Sequence, residues 1–269
     1  MVLRSAAALL RGAKTATQRE LYYMDTNLFA GGQAQCNAAI LTVSALLREP
    51  RHCLGVVASS RGFYTGRLRT RHAAGGGGGG GDGGGGGDWH DPRTAGGTGA
   101  SVNSDWISHA LEAESDAQFL LVVEKDGAFA RLSEDRFYDR LPCIIVTGQG
   151  FPPVAVRAMV RALQSALNLP AYGLVDCGPF GLSLLLTYVH GGARMGEQAA
   201  HYTADVKWLG LRPSQLDALD LPAQAYAPQS DNDQRRARTL AESIHVTARP
   251  ELEAEVDYWS RGGYKVCIG

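Results

Sequence analysis

The chain has 269 residues, 45% of them hydrophobic, which is enough for one large domain or two modest ones. Its formal net charge is −1, so overall basicity does not indicate nucleic-acid binding, and any such site must be a local patch. The five cysteines form no CxxC pair, which favours reduced intracellular thiols, and no run of 18 apolar residues is present to span a membrane.

The first predicted helix covers the start of the chain. Residues 1–18 carry three basic residues and no acid, as a mitochondrial presequence does. However, Leu3, Ala6 and Leu10 keep helical spacing and lead into the next element. This spacing predicts a helix that precedes the next element, and a targeting segment remains the alternative.

A second helix is predicted over Gln18–Phe29. Leu21, Met24 and Leu28 recur at i, i+3 and i+7, the spacing of an apolar stripe that lies on a core. The residues between them are mostly polar. The pattern therefore predicts a continuous amphipathic helix with one buried face and one wet face.

The polar face of that helix carries a candidate catalytic pair. Arg19, Tyr23 and Asn27 lie one helical turn apart, so they share this face. A guanidinium that grips phosphate oxygens beside a phenol suits nucleophilic attack on a phosphodiester. An exposed tyrosine near an arginine is also common on ordinary helix surfaces, and both interpretations remain open at this point.

The next elements follow the order of a winged helix-turn-helix. Gln35–Leu47 is predicted as a helix, Arg51–Ala58 as a short basic helix, and Gly62–Gly66 as the first strand of a β ribbon. In such a domain the third helix enters the major groove of DNA and the ribbon touches the backbone. The candidate phosphate-binding arginines are Arg51, Arg61, Arg67, Arg69 and Arg71. The alternative is a solvated basic surface.

A glycine tract divides the chain. Residues 75–88 are glycine apart from Asp82 and Asp88, so this stretch cannot bury enough apolar surface to fold, and the polar stretch Trp89–Ser104 is predicted to extend it. We therefore predict three parts: a winged-helix domain over residues 1–72, a flexible insert over 73–104, and an α/β domain over 105–269.

The third part alternates strands and helices, which predicts a mostly parallel sheet covered by helices. Buried strands are expected at Gln118–Val123, Cys143–Val146, Tyr172–Val175 and Val206–Leu211. Functional groups on such sheets gather at the carboxyl ends of the strands. That rule directs attention to the acidic residues that directly follow two of these strands.

Glu124 follows the first of these strands, and Asp176 follows the third. Two carboxylates at one sheet edge suit a hard cation, and Mg²⁺ held by one or two carboxylates plus waters is the usual form in phosphoryl chemistry. A lone acid after a strand is often only a helix cap, so that role remains open for Asp176.

Five motifs in order carry a resemblance to a known family. They are T-x-R-E-x-Y-Y at Thr17–Tyr23, VVEKDGAF at Val122–Phe129, RLPCIIVTGQGFP at Arg140–Pro152, GLVDCGPFG at Gly173–Gly181, and VKWLGLRPSQ at Val206–Gln215. Together they resemble the A subunit of topoisomerase VI and its eukaryotic meiotic relatives, which open double-strand breaks to start recombination. Within that group the chain looks most like the second plant-type paralogue.

The resemblance implies a winged-helix domain joined to a Toprim domain, acting in the nucleus as a dimer on double-stranded DNA with a topoisomerase VI B-like subunit. The second copy is either identical or a paralogue. By the motifs, Tyr23 is the nucleophile that forms a 5′-phosphotyrosyl link, Arg19 orients the phosphate, and Glu124 and Asp176 hold Mg²⁺. A strand-passing topoisomerase that works outside meiosis is the first alternative.

Two departures qualify the resemblance. Where the family pattern has a second acid or an asparagine, this chain has Gly178, which offers no ligand side chain; Asp126 and Asp205 are the substitutes considered. Where the family usually has Gly-Lys-Gly, this chain has Gly148-Gln149-Gly150. These changes motivate a further alternative, a DNA-binding homologue that does not cleave.

Overall fold

The computed structural model describes residues 1–57, 61–72, 88–107, 111–192 and 195–269. The glycine tract predicted as a tether, residues 75–88, lies outside these ranges except for Asp88. The described helices are α1 Val2–Arg11, α2 Gln18–Tyr23, α3 Gly32–Leu47, α4 Asp126–Glu134, α5 Phe137–Arg140, α6 Val154–Leu167, α7 Pro179–His190, α8 Asp231–Ala241, α9 Ile244–Thr247 and α10 Pro250–Ser260. None of the helices in these ranges is long and apolar enough to cross a membrane.

The described strands fall into one large sheet and three small pairs. They are β1 Ala16–Thr17, β2 Val56–Val57, β3 Phe63–Gly66, β4 Arg69–His72, β5 Ala100–Ser101, β6 Leu111–Glu114, β7 Phe119–Val123, β8 Cys143–Thr147, β9 Ala171–Leu174, β10 Val206–Gly210, β11 Tyr226–Ala227 and β12 Lys265–Val266.

The first 57 residues have a hydrophobic core of their own, built from α1, α2, α3 and the β1–β2 pair. The predicted first helix is confirmed as α1, but only one of the three residues that carried its helical spacing is buried. Val2, Ala6 and Leu9 are buried, whereas about half of the surface of Leu3 and of Leu10 is exposed. The cause is tertiary: α1 packs on α3 and on the turn at Arg51–Leu54, which selects the Leu9 side of the helix.

Helix α2 is shorter than the sequence pattern predicts. It ends at Tyr23, and only Leu21 of the predicted stripe is buried; Met24 and Leu28 are more than half exposed. The polar residues Asp25–Asn27 compete for backbone hydrogen bonds and favour turns, so the chain leaves the helix there. The predicted continuous helix over Gln18–Phe29 is therefore wrong, although α2 keeps Arg19 and Tyr23 in contact.

The predicted basic helix at Arg51–Ala58 is also wrong. A single 3₁₀ turn covers Arg51–Leu54, and Gly55 ends it with a left-handed φ of 74°. The chain then pairs as β2 with β1, with Val56 opposite Ala16. Glycine adopts this conformation readily, which is why the turn stops after four residues. Residue 58 lies outside the described ranges.

The strand predicted as the start of a wing belongs to the central sheet instead. β3 pairs antiparallel with β8, Phe63 opposite Thr147, and β5 pairs with β3 on its other side. The prediction that Trp89–Ser104 extends the tether is wrong as well, because it forms a 3₁₀ segment at Pro92–Thr98 followed by β5. Strands from all three predicted parts of the chain thus share one sheet.

The central sheet has the order β10-β9-β7-β8-β3-β5 among the described residues, and its first four strands are parallel. Side chains alternate across it. Leu120 and Val122 of β7 face the core shared with α6 and α7, whereas Leu121 and Val123 face the core formed with α4. Burial on both faces explains the continuous apolar run in this strand, and the predicted mostly parallel sheet is confirmed.

Two histidines stack where α7 ends against α9. The ring centroids of His190 and His245 are 3.7 Å apart with the planes 9° from parallel. Burial lowers the pKa of His190, and the neighbouring His245 and Arg249 lower it further. The folded protein therefore holds His190 neutral at a pH where the unfolded chain already binds a proton.

We expect the free energy of unfolding to fall as pH drops through about 6.5, the ordinary histidine value, because the unfolded chain then binds more protons than the folded one. Thermal melts between pH 5 and 8 measure this loss. As pH falls, His190→Asn is expected to lose less of its unfolding free energy than the unchanged protein does. His201→Gln is expected to lose as much as the unchanged protein. Equal pH dependence in all three proteins would contradict the prediction.

Candidate active site

The local sequence positions Tyr23 at the exposed end of α2. Thr17 caps the helix: the Glu20 amide donates to Thr17 Oγ1 at 3.1 Å, and the Thr17 amide donates to Glu20 Oε2 at 2.6 Å. The fully buried Leu21 anchors the short helix on the N-terminal core, while 59% of Tyr23 is exposed. A capped and anchored turn holds the phenol outward without burying it.

Arg19 and Tyr23 contact each other as predicted. Arg19 Nη2 donates a hydrogen bond to Tyr23 Oη at 3.3 Å, and its guanidinium carbon lies 5.7 Å from the centre of the ring. The adjacent Tyr22 packs against Phe29 with ring centroids 6.2 Å apart, and against the Tyr23 ring with centroids 5.3 Å apart. Both tyrosines line the cavity described next, and the hydrogen bond from Arg19 goes to Tyr23.

Tyr23 and Arg19 line a cavity of about 740 Å³ between α2, α3 and the start of α6. Arg51 contributes to its wall, and so do Gln33 and Asn37 of α3. Burial lowers the pKa of Arg51, and the nearby Tyr202 raises it. Among the residues the structure describes, neither Glu124 nor Asp176 lines this cavity, so one chain does not bring the phenol and the acids into one pocket.

Glu124 and Asp176 meet at the carboxyl edge of the central sheet. The Asp176 amide donates to Glu124 Oε2 at 2.8 Å, which links the residues after β7 and β9 directly. Burial raises the pKa of Glu124; the Asp176 amide lowers it, the Asp176 carboxylate raises it, and the Lys125 ammonium lowers it. The topology thus produces the carboxylate pair that the strand-end rule predicts.

The donor set of this pair suits a hard cation. Two carboxylates close together, one of them in a partly dehydrated environment, are the oxygen ligands that Mg²⁺ prefers. In the described part of the chain, no group of three or more histidine, cysteine or acidic residues forms a larger ligand set. Asp205 precedes β10 and so lies at the opposite end of the sheet, which removes it as a substitute ligand. Asp126 lies in the first turn of α4 and is exposed.

Two further residues that were not predicted as site residues contact Asp176. Lys125 Nζ lies 3.6 Å from Asp176 Oδ2, and the Ile268 amide donates to Asp176 Oδ1 at 2.9 Å. Lys125 directly follows Glu124, so its position was readable from the strand end. No motif marked Ile268, which is 92 residues from Asp176 along the chain and reaches it only through the tertiary fold.

Gly178 and Gly181, the two glycines that follow Asp176, differ in whether a side chain would fit at their position. A Cβ at Gly181 would lie 2.2 Å from the Asp176 carbonyl oxygen, a contact with backbone that cannot rotate away. A Cβ at Gly178 would meet only the aliphatic stem of Lys265, at 3.7 Å, with an ordinary extended backbone. Gly181 is therefore required for packing, whereas a side chain fits at position 178.

Gly181→Ala is expected to lower the free energy of unfolding by about 1–3 kcal/mol, because the methyl group forces apart α7 and the Asp176 backbone. Urea unfolding measures the change. Gly178→Ser serves as the matched control in the same loop, with an expected change within about 0.5 kcal/mol, because it fits sterically and serine suits a helix N-cap. An unfolding midpoint of the alanine variant equal to that of the serine variant would refute the argument.

The predicted DNA-binding arginines lie in three different settings. Arg61 is exposed and donates to the Gln149 carbonyl at 3.0 Å, in the loop that follows β8. In the same loop, the Gly150 amide donates to the Glu124 carbonyl. Arg61 thus brings a positive charge to the loop in which the expected lysine is replaced by Gln149. Arg51 lies in the cavity wall beside Tyr23.

Arg67 and the arginines of β4 face acidic partners. Arg67 Nη1 lies 2.7 Å from Asp116 Oδ2, and Arg67 Nε donates to the Tyr138 carbonyl at 2.9 Å. Arg69 and Arg71 pair across the strands with Glu114 and Glu112. The β4–β6 pair is therefore far less basic than the arginine run alone predicts, and a role of Arg67 in DNA binding stays a prediction.

Comparison with known proteins agrees with this architecture. The model of the Toprim domain of the topoisomerase 6 A subunit/Spo11 family matches residues 119–269, and the model described as type IIB DNA topoisomerase matches residues 1–56. Similar proteins are found among the A subunits of DNA topoisomerase 6 and among the meiotic recombination proteins. The chain is 41% identical to the A3 subunit of DNA topoisomerase 6 of Oryza sativa subsp. indica, over 91% of this chain and 52% of that protein.

It is also 32% identical to the meiotic recombination protein SPO11 of Mus musculus, over 95% of this chain and 61% of that protein. The identity to SPO11-1 of Arabidopsis thaliana is 30%, over 98% of this chain and 69% of that protein. The chain therefore spans between about half and two thirds of the length of these relatives. On the strength of the Toprim match and these identities, the chain belongs to the topoisomerase 6 A subunit/Spo11 family.

Proposed function

We propose that the chain is a Mg²⁺-dependent DNA-cleaving transesterase that makes meiotic double-strand breaks, with Tyr23 as its nucleophile. The observation that carries the proposal is the hydrogen bond between Arg19 and the exposed Tyr23 in the wall of the cavity between α2, α3 and α6. The carboxylate pair Glu124–Asp176, on the sheet of a family Toprim domain, supports it.

In the proposed reaction the Tyr23 hydroxyl loses its proton to solvent and its oxygen attacks a DNA phosphorus; the bond to the 3′ oxygen breaks, and that oxygen leaves and takes up a proton from solvent. The product is a 5′-phosphotyrosyl ester with a free 3′-hydroxyl. One ester replaces another, so the step is reversible. Arg19 grips the phosphate oxygens, and the guanidinium of Arg61 adds positive charge near the acids. A bound Mg²⁺, held by Glu124 and Asp176, supplies charge neutralisation at the phosphate.

We propose that Tyr23 of one copy acts with the carboxylate pair of a second copy, either identical or a paralogue. The separation of the Tyr23 cavity from the acids within one chain supports this arrangement. Double-stranded DNA in the nucleus is the substrate, and a topoisomerase VI B-like subunit is the proposed further partner. The names of the topoisomerase and meiotic recombination relatives agree with this assignment.

Covalent capture tests the proposal. DNA is recovered from cells under denaturing conditions, trimmed with nuclease, and the attached peptide is identified by mass spectrometry. We expect a nucleotide linked to Tyr23 through its 5′ phosphate. Absence of any adduct, or attachment at another residue, would end the proposal in this form.

A second candidate is the A subunit of a strand-passing topoisomerase, favoured by the 41% identity to the rice topoisomerase relative. It retains the same chemistry but requires an ATPase partner. Co-purification of such a partner, with ATP-dependent decatenation of linked DNA circles, would favour it over the meiotic assignment.

A third candidate, a DNA-binding homologue that does not cleave, is favoured by Gly178, where the family pattern expects a second ligand. Since a side chain fits at this position, Gly178→Asp tests it directly. An adduct formed by the aspartate variant and not by the unchanged protein would support this candidate.

A further inference from the structure

A short segment from the end of the described chain lies against the carboxylate pair. Residues 265–268 follow α10, and Val266 exchanges two backbone hydrogen bonds with Cys177, at 2.8 and 3.0 Å. The Val266 side chain is buried, and β12 also pairs with β11. The segment is therefore fixed in place next to the residue that follows Asp176.

This placement presents a backbone donor to the acid. The Ile268 N–H donates to Asp176 Oδ1 at 2.9 Å, while the Asp176 amide donates to Glu124. Hydrogen bonds to an ionised carboxylate are stronger than those between neutral groups and restrict its rotation. Asp176 is thus held by its own amide on one side and by Ile268 on the other.

The same segment touches the other residues of the site. Lys125 hydrogen-bonds Cys267 and lies 3.6 Å from the second oxygen of Asp176. The stem of Lys265 passes beside Gly178, and its ammonium lies 2.7 Å from Asp233. Burial by itself raises the pKa of Asp233, but the hydrogen bonds from Lys265 and Ser230 hold that pKa below its ordinary value.

We propose that residues 265–268 are a positioning element of the metal site, in which the Ile268 N–H holds the Asp176 carboxylate in the orientation that binds the divalent ion. The inference rests on the proposed function, since it concerns the same Mg²⁺ site. Carboxylates that bind metals are themselves held by hydrogen bonds, and losing such a partner typically weakens metal binding about 10- to 100-fold.

A backbone donor is tested by proline. Ile268→Pro removes the N–H and keeps an apolar side chain, whereas Ile268→Ala removes the side chain and keeps the N–H. Binding of Mn²⁺ alone, followed by the electron paramagnetic resonance signal of the free ion, is measured for both variants, for the unchanged protein and for Asp176→Asn. We expect Ile268→Pro to weaken Mn²⁺ binding about 10-fold or more, and Ile268→Ala by less than about 2-fold.

The outcomes separate the two proposals. Equal Mn²⁺ affinity of the proline and alanine variants, with binding lost in Asp176→Asn, would overturn the role of Ile268 and leave the proposed function intact. Failure of the unchanged protein to bind Mn²⁺ would overturn both.

A second measurement tests the inference in case the Ile268→Pro variant does not fold. In protein labelled with ¹⁵N-isoleucine, the Ile268 amide is identified by its loss in Ile268→Ala. We expect this amide to exchange slowly with solvent and to shift when Mg²⁺ is added, but not in Asp176→Asn. An Ile268 amide that exchanges quickly with solvent and does not shift when Mg²⁺ is added would refute the inference. This result does not depend on whether Ile268→Pro folds.

Discussion

Tyr23→Phe is expected to abolish the covalent protein–DNA adduct, with a fall in cleavage of at least about 10⁴-fold, because the attacking oxygen is removed and no other group replaces it. The phenyl ring remains on the exposed face of α2, so the fold and binding of DNA are expected to stay intact. Adduct formation is measured by denaturing capture, and DNA binding by fluorescence anisotropy on the same preparations.

The adjacent tyrosine provides the control. Tyr22→Phe removes one hydroxyl from the same helix, but that side chain packs on Phe29, so adduct formation should continue. If both variants lose the adduct equally, the loss reflects damage to α2. If Tyr23→Phe keeps the adduct, another residue is the nucleophile and the proposed chemistry is wrong.

Glu124→Gln is expected to reduce cleavage about 10²- to 10³-fold and to weaken Mn²⁺ binding, because one of the two carboxylates is neutralised. The amide oxygen of glutamine can still accept the hydrogen bond from the Asp176 amide, so the sheet edge keeps its connection. Isothermal titration with Mn²⁺ and a cleavage time course measure the two effects separately. Chelation of divalent ions with EDTA should reduce the unchanged protein to a level similar to that of the variant.

Glu112→Gln is the matched control, since it also removes one acidic charge but belongs to the exposed pair with Arg71 on the β4–β6 strands. Metal binding and cleavage should remain near those of the unchanged protein. Mn²⁺ affinity that is insensitive to Glu124→Gln would place the ion elsewhere and contradict the assignment of the carboxylate pair.

Several features were readable from the sequence because they depend on local chemistry. Helix α2 begins at Gln18 as predicted, with Thr17 and Glu20 forming its cap, and the i to i+4 spacing brings Arg19 to Tyr23. The alternation of strands and helices predicted a parallel sheet, and β7 and β8, which are buried on both faces, read as continuous apolar runs. From this sheet the strand-end rule placed Glu124 and Asp176 together, and their contact is confirmed.

The errors of sequence interpretation have a common cause. An alternating or helical pattern shows that a face is buried, but it does not show which partner covers it. β3 has the composition of a ribbon strand, yet it forms the antiparallel side of the central sheet against β8. The arginines of β4 resemble a DNA-binding surface until the glutamates of β6, more than 40 residues away, pair with them.

The sequence by itself determined the family, the capped helix that presents Tyr23, and the presence of two acids at one sheet edge, since each depends on neighbours in the chain or on strand direction. Tertiary structure alone decided which side of α1 is buried, which arginines are neutralised, and that the Ile268 amide reaches Asp176. These depend on contacts between distant segments. Such contacts leave no periodic trace in the sequence, because a backbone N–H is present at every residue except proline.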